Sequence, residues 1–116
     1  MSEDRTMKMI AEDYGLLKEL VLRVVDYNKA PDETAEQFVE RYAEHMQVKH
    51  PNIKDKFKAC RWQLFHAAVR QPTEFDGQRF TGKSSSMLGF YGKLSAYLND
   101  DHIDTALRQI VKEIAR

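Results

Sequence analysis

The sequence predicts an all-α protein, a compact bundle of about five helices forming one domain over residues 1–116. Apolar residues recur at steps of three and four along most of the chain, which is typical of helices with one buried face. Five glycines and three prolines are few helix-breaking residues, and each proline falls where the apolar period is interrupted. A chain of 116 residues suits one core rather than two. One long loop is expected at about residues 72–83, since no helical period runs through it.

The first helix is predicted from an apolar stripe that stops near Asn28 to Pro31. The stripe consists of Met7, Ile10, Tyr14, Leu17, Val21 and Val24, widened by Leu16, Leu20, Leu22 and Val25. Its second half is therefore apolar on most sides, so we expect it to lie centrally or to be covered by a partner chain. Three valines in residues 20–25 leave a short strand as the alternative.

The second helix is predicted to begin at Thr34, because Thr34 and Gln37 have the spacing of a capping box. Its expected buried face consists of Ala35, Phe38, Val39, Tyr42, Ala43 and Met46. The acids Glu36, Glu40 and Glu44 recur every four residues on the other side. Such a row is most often a solvated face, and it is also a candidate protein-binding surface.

The third helix is expected to follow the break at His50-Pro51, with Asn52 as its N-cap, and to end near Gln71. Its predicted buried stripe consists of Ile53, Phe57, Cys60, Leu64 and Ala67 or Ala68, with Trp62, Phe65 and Val69 beside it. In the long loop that follows, Asp76-Gly77 favours a small turn or hairpin.

The fourth helix is predicted to start among Ser84, Ser85 and Ser86. It is expected to bury Met87, Tyr91, Leu94 and Leu98. Ser85, Gly89, Gly92 and Ala96 form a stripe of small residues beside them. Because glycine inside a helix is unfavourable, we expect another helix to approach closely there.

The fifth helix is predicted to be capped by Asp100 or Asp101. Its expected buried residues are Ile103, Leu107, Ile110, Val111 and Ile114. On its outer side Asp104, Arg108 and Lys112 have the spacing of i,i+4 ion pairs.

The formal charge is zero, with 18 acids and 18 bases, but the two signs are unevenly distributed. Residues 1–50 hold 11 acids and 7 bases, whereas residues 51–116 hold 7 acids and 11 bases. Most of the basic excess lies in residues 54–93. Three of its lysines, Lys54, Lys56 and Lys58, fall in the first turns of the predicted third helix, where the helix dipole disfavours cations.

This distribution predicts a small non-enzymatic regulatory protein that contacts the backbone of DNA or RNA through residues 54–93. The second and third helices have the outline of a helix-turn-helix. The candidate phosphate contacts are Lys54, Lys56, Lys58, Arg61, Arg79, Lys83, Ser84 and Ser85. The alternative is a protein-interaction module, an inhibitor or adaptor that also self-associates as a homodimer, with Glu36, Glu40 and Glu44 as contact candidates and the first and fifth helices supplying apolar area.

A remote alternative is a nucleotide-binding P-loop. The stretch from Gly77 to Ser84 matches the pattern GxxxxGK[ST]. However, Pro72 and the acids Glu74 and Asp76 precede it where a buried strand is required. We therefore expect the match to be coincidental.

No other motif in the sequence indicates catalysis, a metal or a cofactor. The four histidines lack ligand spacing. The single cysteine, Cys60, falls on an apolar stripe, which predicts a buried thiol rather than a nucleophile. No apolar run approaches the roughly 20 residues that cross a bilayer, and with no disulfide pair or signal segment a cytoplasmic protein is expected.

Overall fold

A computed structural model of the chain describes residues 9–69, 73–75, 78–80 and 84–115, with the backbone alone at 73–75, 78–80, 84–89 and 91. Within these residues the protein is an all-α bundle of five helices, as predicted. The helices are α1 (Ala11–Asn28), α2 (Ala35–Lys49), α3 (Lys56–Val69), α4 (Ser84–Tyr97) and α5 (Asp100–Ile114). Inside the expected long loop, β1 (Thr73–Phe75) and β2 (Gln78–Phe80) pair as a short antiparallel hairpin with Phe75 opposite Gln78. Residues 76–77, where the turn was predicted, lie outside the described residues.

Helix α1 contacts α2, α3, α5 and β2, whereas α3 contacts all four other helices and is the more central of the two. The strand alternative for residues 20–25 is wrong, because this stretch is helical throughout. Its apolar residues Leu17, Leu20, Val21, Val24 and Val25 are all buried within the chain itself. A partner chain is therefore not needed to cover them.

Helix α2 follows the sequence prediction closely. Thr34 Oγ1 accepts a hydrogen bond from Gln37 N at 3.1 Å, and Gln37 Oε1 accepts one from Thr34 N at 2.9 Å, which completes the predicted capping box. The expected core residues Phe38, Val39, Tyr42, Ala43 and Met46 are buried.

Helix α3 begins later than predicted. The cap is Asp55 rather than Asn52: its Oδ1 accepts from Phe57 N at 3.0 Å and from Lys58 N at 3.2 Å. A carboxylate at this position also complements the positive end of the helix dipole. Ile53 consequently lies outside the helix and is 37% exposed, whereas the predicted core residues Cys60 and Leu64 are fully buried.

Helix α4 begins at Ser84, within the predicted range. Leu94 and Leu98 are buried as expected, and Phe90 joins them. The expectation of close packing along the small-residue stripe is wrong at Gly92, which is exposed: a Cβ added there would meet nothing within 4 Å.

Helix α5 buries its five predicted apolar residues. Its N-cap is Asn99, one residue before the predicted aspartates. Asn99 Oδ1 accepts from His102 N at 2.9 Å. Asp100 and Asp101 instead occupy the first turn, where their charge suits the helix dipole.

Candidate interaction surface

The basic segment expected to contact nucleic acid does not form one continuous basic face among the described residues. Lys56 lies at the start of α3 and turns back toward α2. Its Nζ is 2.5 Å from Glu44 Oε2 and 3.9 Å from Glu40 Oε1. The hydrogen bond to Glu44 raises the pKa of Lys56. This predicted phosphate contact is therefore neutralised by the acidic row of α2.

Arg61 is the candidate phosphate contact whose position differs most clearly from the prediction. As a candidate phosphate contact it was expected to be accessible, but its side chain is only 5% exposed. Its Nε donates to Asp104 Oδ1 at 3.0 Å and its Nη2 to Asp104 Oδ2 at 3.3 Å, which joins α3 to α5. A buried, bidentate guanidinium is unavailable to a phosphate in this conformation.

The other predicted phosphate contacts are divided between two places. Lys54 and Lys58 are exposed and have no ion-pair partner among the described residues. Lys54 precedes α3 instead of lying in its first turns as predicted. Arg79 lies on β2 and Ser84 and Ser85 begin α4, and only their backbones are described. Lys83 lies outside the described residues.

The P-loop alternative lacks its structural context in the described part of the chain. A P-loop joins a buried parallel strand to a helix. Here the strand preceding α4 is β2, which belongs to a two-stranded antiparallel hairpin. The residues between β2 and α4, 81–83, lie outside the described residues.

The side of α2 that faces away from the core carries the predicted acidic row. We define the α2 outer face as Glu36, Gln37, Glu40, Glu44 and Val48, all of which are exposed. Val48 is 78% exposed, more than any other large apolar side chain that the structure describes. Since one cation, Lys56, neighbours two of the three acids on this face, the face keeps an excess of negative charge.

The turn after α2 is held in a defined conformation. Gln47 Nε2 donates to Ile53 O at 2.7 Å, and Ile53 N donates to His50 O at 3.0 Å. These two bonds fix the backbone of Ile53, whose side chain is 37% exposed. The α2 outer face thus combines an acidic row with one strongly exposed aliphatic side chain, Val48.

A buried carboxylate that sequence reasoning missed ties α1 to α4. Asp13 is 2% exposed and accepts from Lys93 Nζ at 2.8 Å and from Tyr97 Oη at 2.6 Å. These hydrogen bonds, led by that from Lys93, hold the pKa of Asp13 below its ordinary value. The signal in the sequence was its spacing, four residues before Leu17 and therefore in phase with the core stripe.

A cleft at the turn between α1 and α2 is built around a second ion pair. Arg41 Nε and Nη2 donate to the two carboxylate oxygens of Glu33 at 3.0 and 3.1 Å, and Ala30 N donates to Glu33 Oε1 at 2.9 Å. The hydrogen bond from Arg41 lowers the pKa of Glu33. Asn28, 6% exposed, forms part of the lining. The sequence had indicated only a break at this point.

Cys60 is fully buried on α3, as predicted. Burial raises the pKa of its thiol to about 12, so the nucleophilic thiolate is not formed near neutral pH. Among the described residues there is no cluster of three or more His, Cys, Asp or Glu side chains that could hold a metal ion. The described helices also include none with the length and apolar character to span a membrane.

The fold and this surface define a five-helix bundle with an acidic, partly apolar outer face and a turn cleft beside it. Comparisons with protein-family models, with curated proteins and with solved structures found no match.

Proposed function

We propose that this chain is a small protein-binding module, an inhibitor or adaptor without catalytic chemistry, which contacts its partner through the α2 outer face. The observation that carries the proposal is the position of Val48, 78% exposed, at the end of the acidic row formed by Glu36, Glu40 and Glu44. An exposed apolar side chain at the end of a face with an excess of acids is suited to a partner that presents an apolar pocket beside a basic surface.

The internal ion pairs formed by the basic segment, residues 54–93, support a protein partner over a polyanion. Lys56, Arg61 and Lys93 all engage carboxylates of the same chain, at 2.5, 3.0 and 2.8 Å. Each of these cations would have to exchange an existing partner for a phosphate. The predicted apolar residues of α5 are buried internally, and on α1 Leu16 and Tyr27 remain exposed, at 42% and 52%.

A second copy of the chain is one partner that the surface admits, because Lys54 and Lys58 are exposed cations that could face the acidic row of another copy. Sedimentation velocity over a range of concentrations separates a homodimer from a complex with a different protein. A free buried thiol is compatible with the reducing cytoplasm, where we place the protein on the same proposal.

Affinity capture with the tagged full chain, after nuclease treatment, tests the proposal. We expect a stoichiometric complex that survives size-exclusion chromatography and is lost in Glu36→Lys/Glu40→Lys combined with Val48→Asp. The matched control reverses two exposed acids of α1, Glu19→Lys/Asp26→Lys, and should retain the complex. Equal loss in both variants, or no stoichiometric complex and no self-association in the wild type, would contradict the proposal.

Nucleic-acid binding is the second candidate, and the exposure of Lys54 and Lys58 favours it. Neither lysine has an ion-pair partner among the described residues. In this case the contact would be to the phosphate backbone, and affinity would fall steeply with salt.

Fluorescence anisotropy with labelled duplex DNA, single-stranded DNA and RNA at low salt tests this second candidate. Lys54→Glu/Lys58→Glu should weaken binding and reduce the salt dependence by about two phosphate contacts. Lys112→Glu, on the exposed side of α5, is the control and should have little effect. Absence of binding by the wild type, or equal effects of the variant and the control, would exclude a contact through these lysines.

A further inference from the structure

The chain itself carries a surface of the kind that the α2 outer face is suited to bind, with an apolar side chain beside cations. We define this surface as the α3 entry, which consists of Ile53, Lys54 and Lys58, all exposed. Ile53 is 37% exposed, and neither lysine has an ion-pair partner among the described residues. A second copy of the chain would therefore present both an apolar and a basic group to the α2 outer face.

The charged parts of the two surfaces lie next to each other. Lys56 falls between the two lysines of the α3 entry in the sequence. Its Nζ is 2.5 Å from Glu44 Oε2 and 3.9 Å from Glu40 Oε1, so the start of α3 is held beside the acidic row of α2. Acids and lysines thus form two neighbouring groups on the protein surface.

The apolar parts of the two surfaces lie at the two ends of one turn. Val48 is in the last turn of α2, and Ile53 follows the turn. Gln47, which precedes Val48, donates from Nε2 to Ile53 O at 2.7 Å. Ile53 N donates to His50 O at 3.0 Å. These bonds keep the backbone of Ile53 beside the end of α2.

The charges of this region balance. Between residues 36 and 58, apart from Arg41, which pairs with Glu33, there are four acids and four lysines. They are Glu36, Glu40, Glu44, Asp55, Lys49, Lys54, Lys56 and Lys58. Two copies brought together here experience no net repulsion, unlike two copies of a surface of one sign. A wholly basic partner would instead place cations near Lys54 and Lys58 as well as near the acids.

A two-fold axis makes the two surfaces complementary twice. In a symmetric dimer the contact of residue i with residue j occurs again as the contact of j with i. An axis running between the two surfaces sets the acidic row of each copy against Lys54 and Lys58 of the other. The same rotation sets Val48 of each copy against Ile53 of the other, because these residues lie at the two ends of one turn.

We infer that the partner of the α2 outer face is a second copy of this chain, which docks by its α3 entry in a symmetric dimer. This inference rests on the proposed function, because it names the partner of the same surface. The charge pairs set the orientation of the two copies, and Val48 with Ile53 supplies the apolar contact.

Sedimentation velocity of charge-reversed full chains, over a range of concentrations, tests the dimer. One variant is Glu36→Lys/Glu40→Lys, which leaves Glu44 to hold Lys56, and the other is Lys54→Glu/Lys58→Glu. We expect the wild type to pass from monomer to dimer as its concentration rises. Each variant alone should dimerise about tenfold or more weakly, since it opposes like charges at both symmetric contacts.

An equimolar mixture of the two variants should restore the dimer, because both contacts of the mixed pair then join acids to lysines. A single chain that carries all four reversals is complementary to itself again and should dimerise alone. The matched control, Glu19→Lys/Asp26→Lys on the exposed side of α1, should dimerise as the wild type does. Weakening by both reversals without recovery in the mixture or in the fourfold variant would overturn the inference.

Val48→Asp gives a test that does not depend on the charge reversals. The side chain is 78% exposed, so the substitution should leave the far-UV circular dichroism spectrum and the melting temperature unchanged. It should weaken the dimer, and mixing with either charge variant should not restore it. A wild type that remains monomeric at every concentration, or a dimer unaffected by Val48→Asp and by both reversals, would overturn the inference.

Failure of this inference and failure of the proposed function give different results. A chain that stays monomeric alone but captures a different protein in a stoichiometric complex, lost on reversal of the α2 acids, overturns the second copy and leaves the proposed function standing. A chain that forms neither a dimer nor a complex overturns both.

Discussion

The buried pair between Arg61 and Asp104 allows a quantitative test of how the bundle neutralises its charges. The side chains of Arg61 and Asp104 are 5% and 17% exposed. Asp104→Ala would leave a buried guanidinium with Asp55, 3.9 Å away, as its remaining anionic neighbour. Removing one partner of a buried pair costs about 3–5 kcal/mol. Because Asp55 compensates in part, we expect a loss of about 3 kcal/mol.

Arg61→Met should be much less destabilising, although it breaks the same pair. It removes the charge that is buried and replaces it with an apolar side chain of similar length. The carboxylate left behind is the more exposed partner and retains Arg108 at 3.4 Å. We expect a cost of about 1 kcal/mol or less, and a double variant Arg61→Met/Asp104→Leu near wild-type stability.

Urea unfolding followed by far-UV circular dichroism measures these differences by linear extrapolation. In thermal unfolding, 3 kcal/mol corresponds to about 12 °C for a chain of this length, at about 2.1 cal/mol/K of unfolding entropy per residue. The control is Arg108→Met, whose side chain is 68% exposed and which should change stability little. Equal costs for Arg61→Met and Asp104→Ala, or a fully stable Asp104→Ala, would refute the reasoning.

Three further predictions follow from single sites. Gly92→Ala should stabilise the protein by about 1 kcal/mol, because the residue is helical and an added Cβ would meet nothing within 4 Å; a loss of stability in urea unfolding would show that the backbone there needs glycine. The pKa of Asp13 is lowered by its hydrogen bonds from Lys93 and Tyr97, so its contribution is complete above the unfolded value of about 3.9 and is lost as the pH falls through the folded value. Asp13→Asn should therefore reduce stability at neutral pH and flatten the acid limb of the stability curve, and an unchanged acid limb would contradict this. Cys60, with its pKa raised to about 12 by burial, should react with a thiol reagent only after unfolding, and rapid labelling of the native protein would contradict the buried position.

The sequence predicted those parts of the fold whose information is local. Helix α5 has one unbroken apolar stripe, and all five of its predicted core residues are buried. Thr34 and Gln37 are three residues apart and cap α2 by direct contact, so their spacing was sufficient. The N-caps of α3 and α5 were harder to predict. Asn52 and Asp55 are both suitable caps for α3, and Asn99 and the aspartates after it are all suitable for α5, so the sequence pattern alone does not rank them.

The candidate site was predicted less well, because it depends on contacts that are distant in the sequence. Arg61 and Asp104 are 43 residues apart, and nothing in the local pattern of α3 indicates that this arginine is buried. Asp13 and Lys93 are 80 residues apart. The cleft at Asn28 depends on how Arg41 folds back over the turn, which no local motif encodes. A charge in a sequence becomes available to a partner only if no internal carboxylate or cation already holds it.

The division between charges held in internal ion pairs and charges free for a partner changes what the uneven charge distribution means for function. Lys56 with Glu44 and Lys93 with Asp13 each join a base of the second half to an acid of the first, so part of the imbalance stabilises helix contacts instead of forming an external field. Within the described residues, the exposed charges that the two candidate functions use are the surplus acids of the α2 outer face and the lysines Lys54 and Lys58. These two sets lie on different elements, α2 and the start of α3, so reversing each set separately assigns any binding to one of them. Loss of binding on reversal of the acids alone would identify a basic protein partner, and loss on reversal of the lysines alone would identify a polyanion. Loss on either reversal, with recovery when the two reversed variants are mixed, would identify a second copy of this chain.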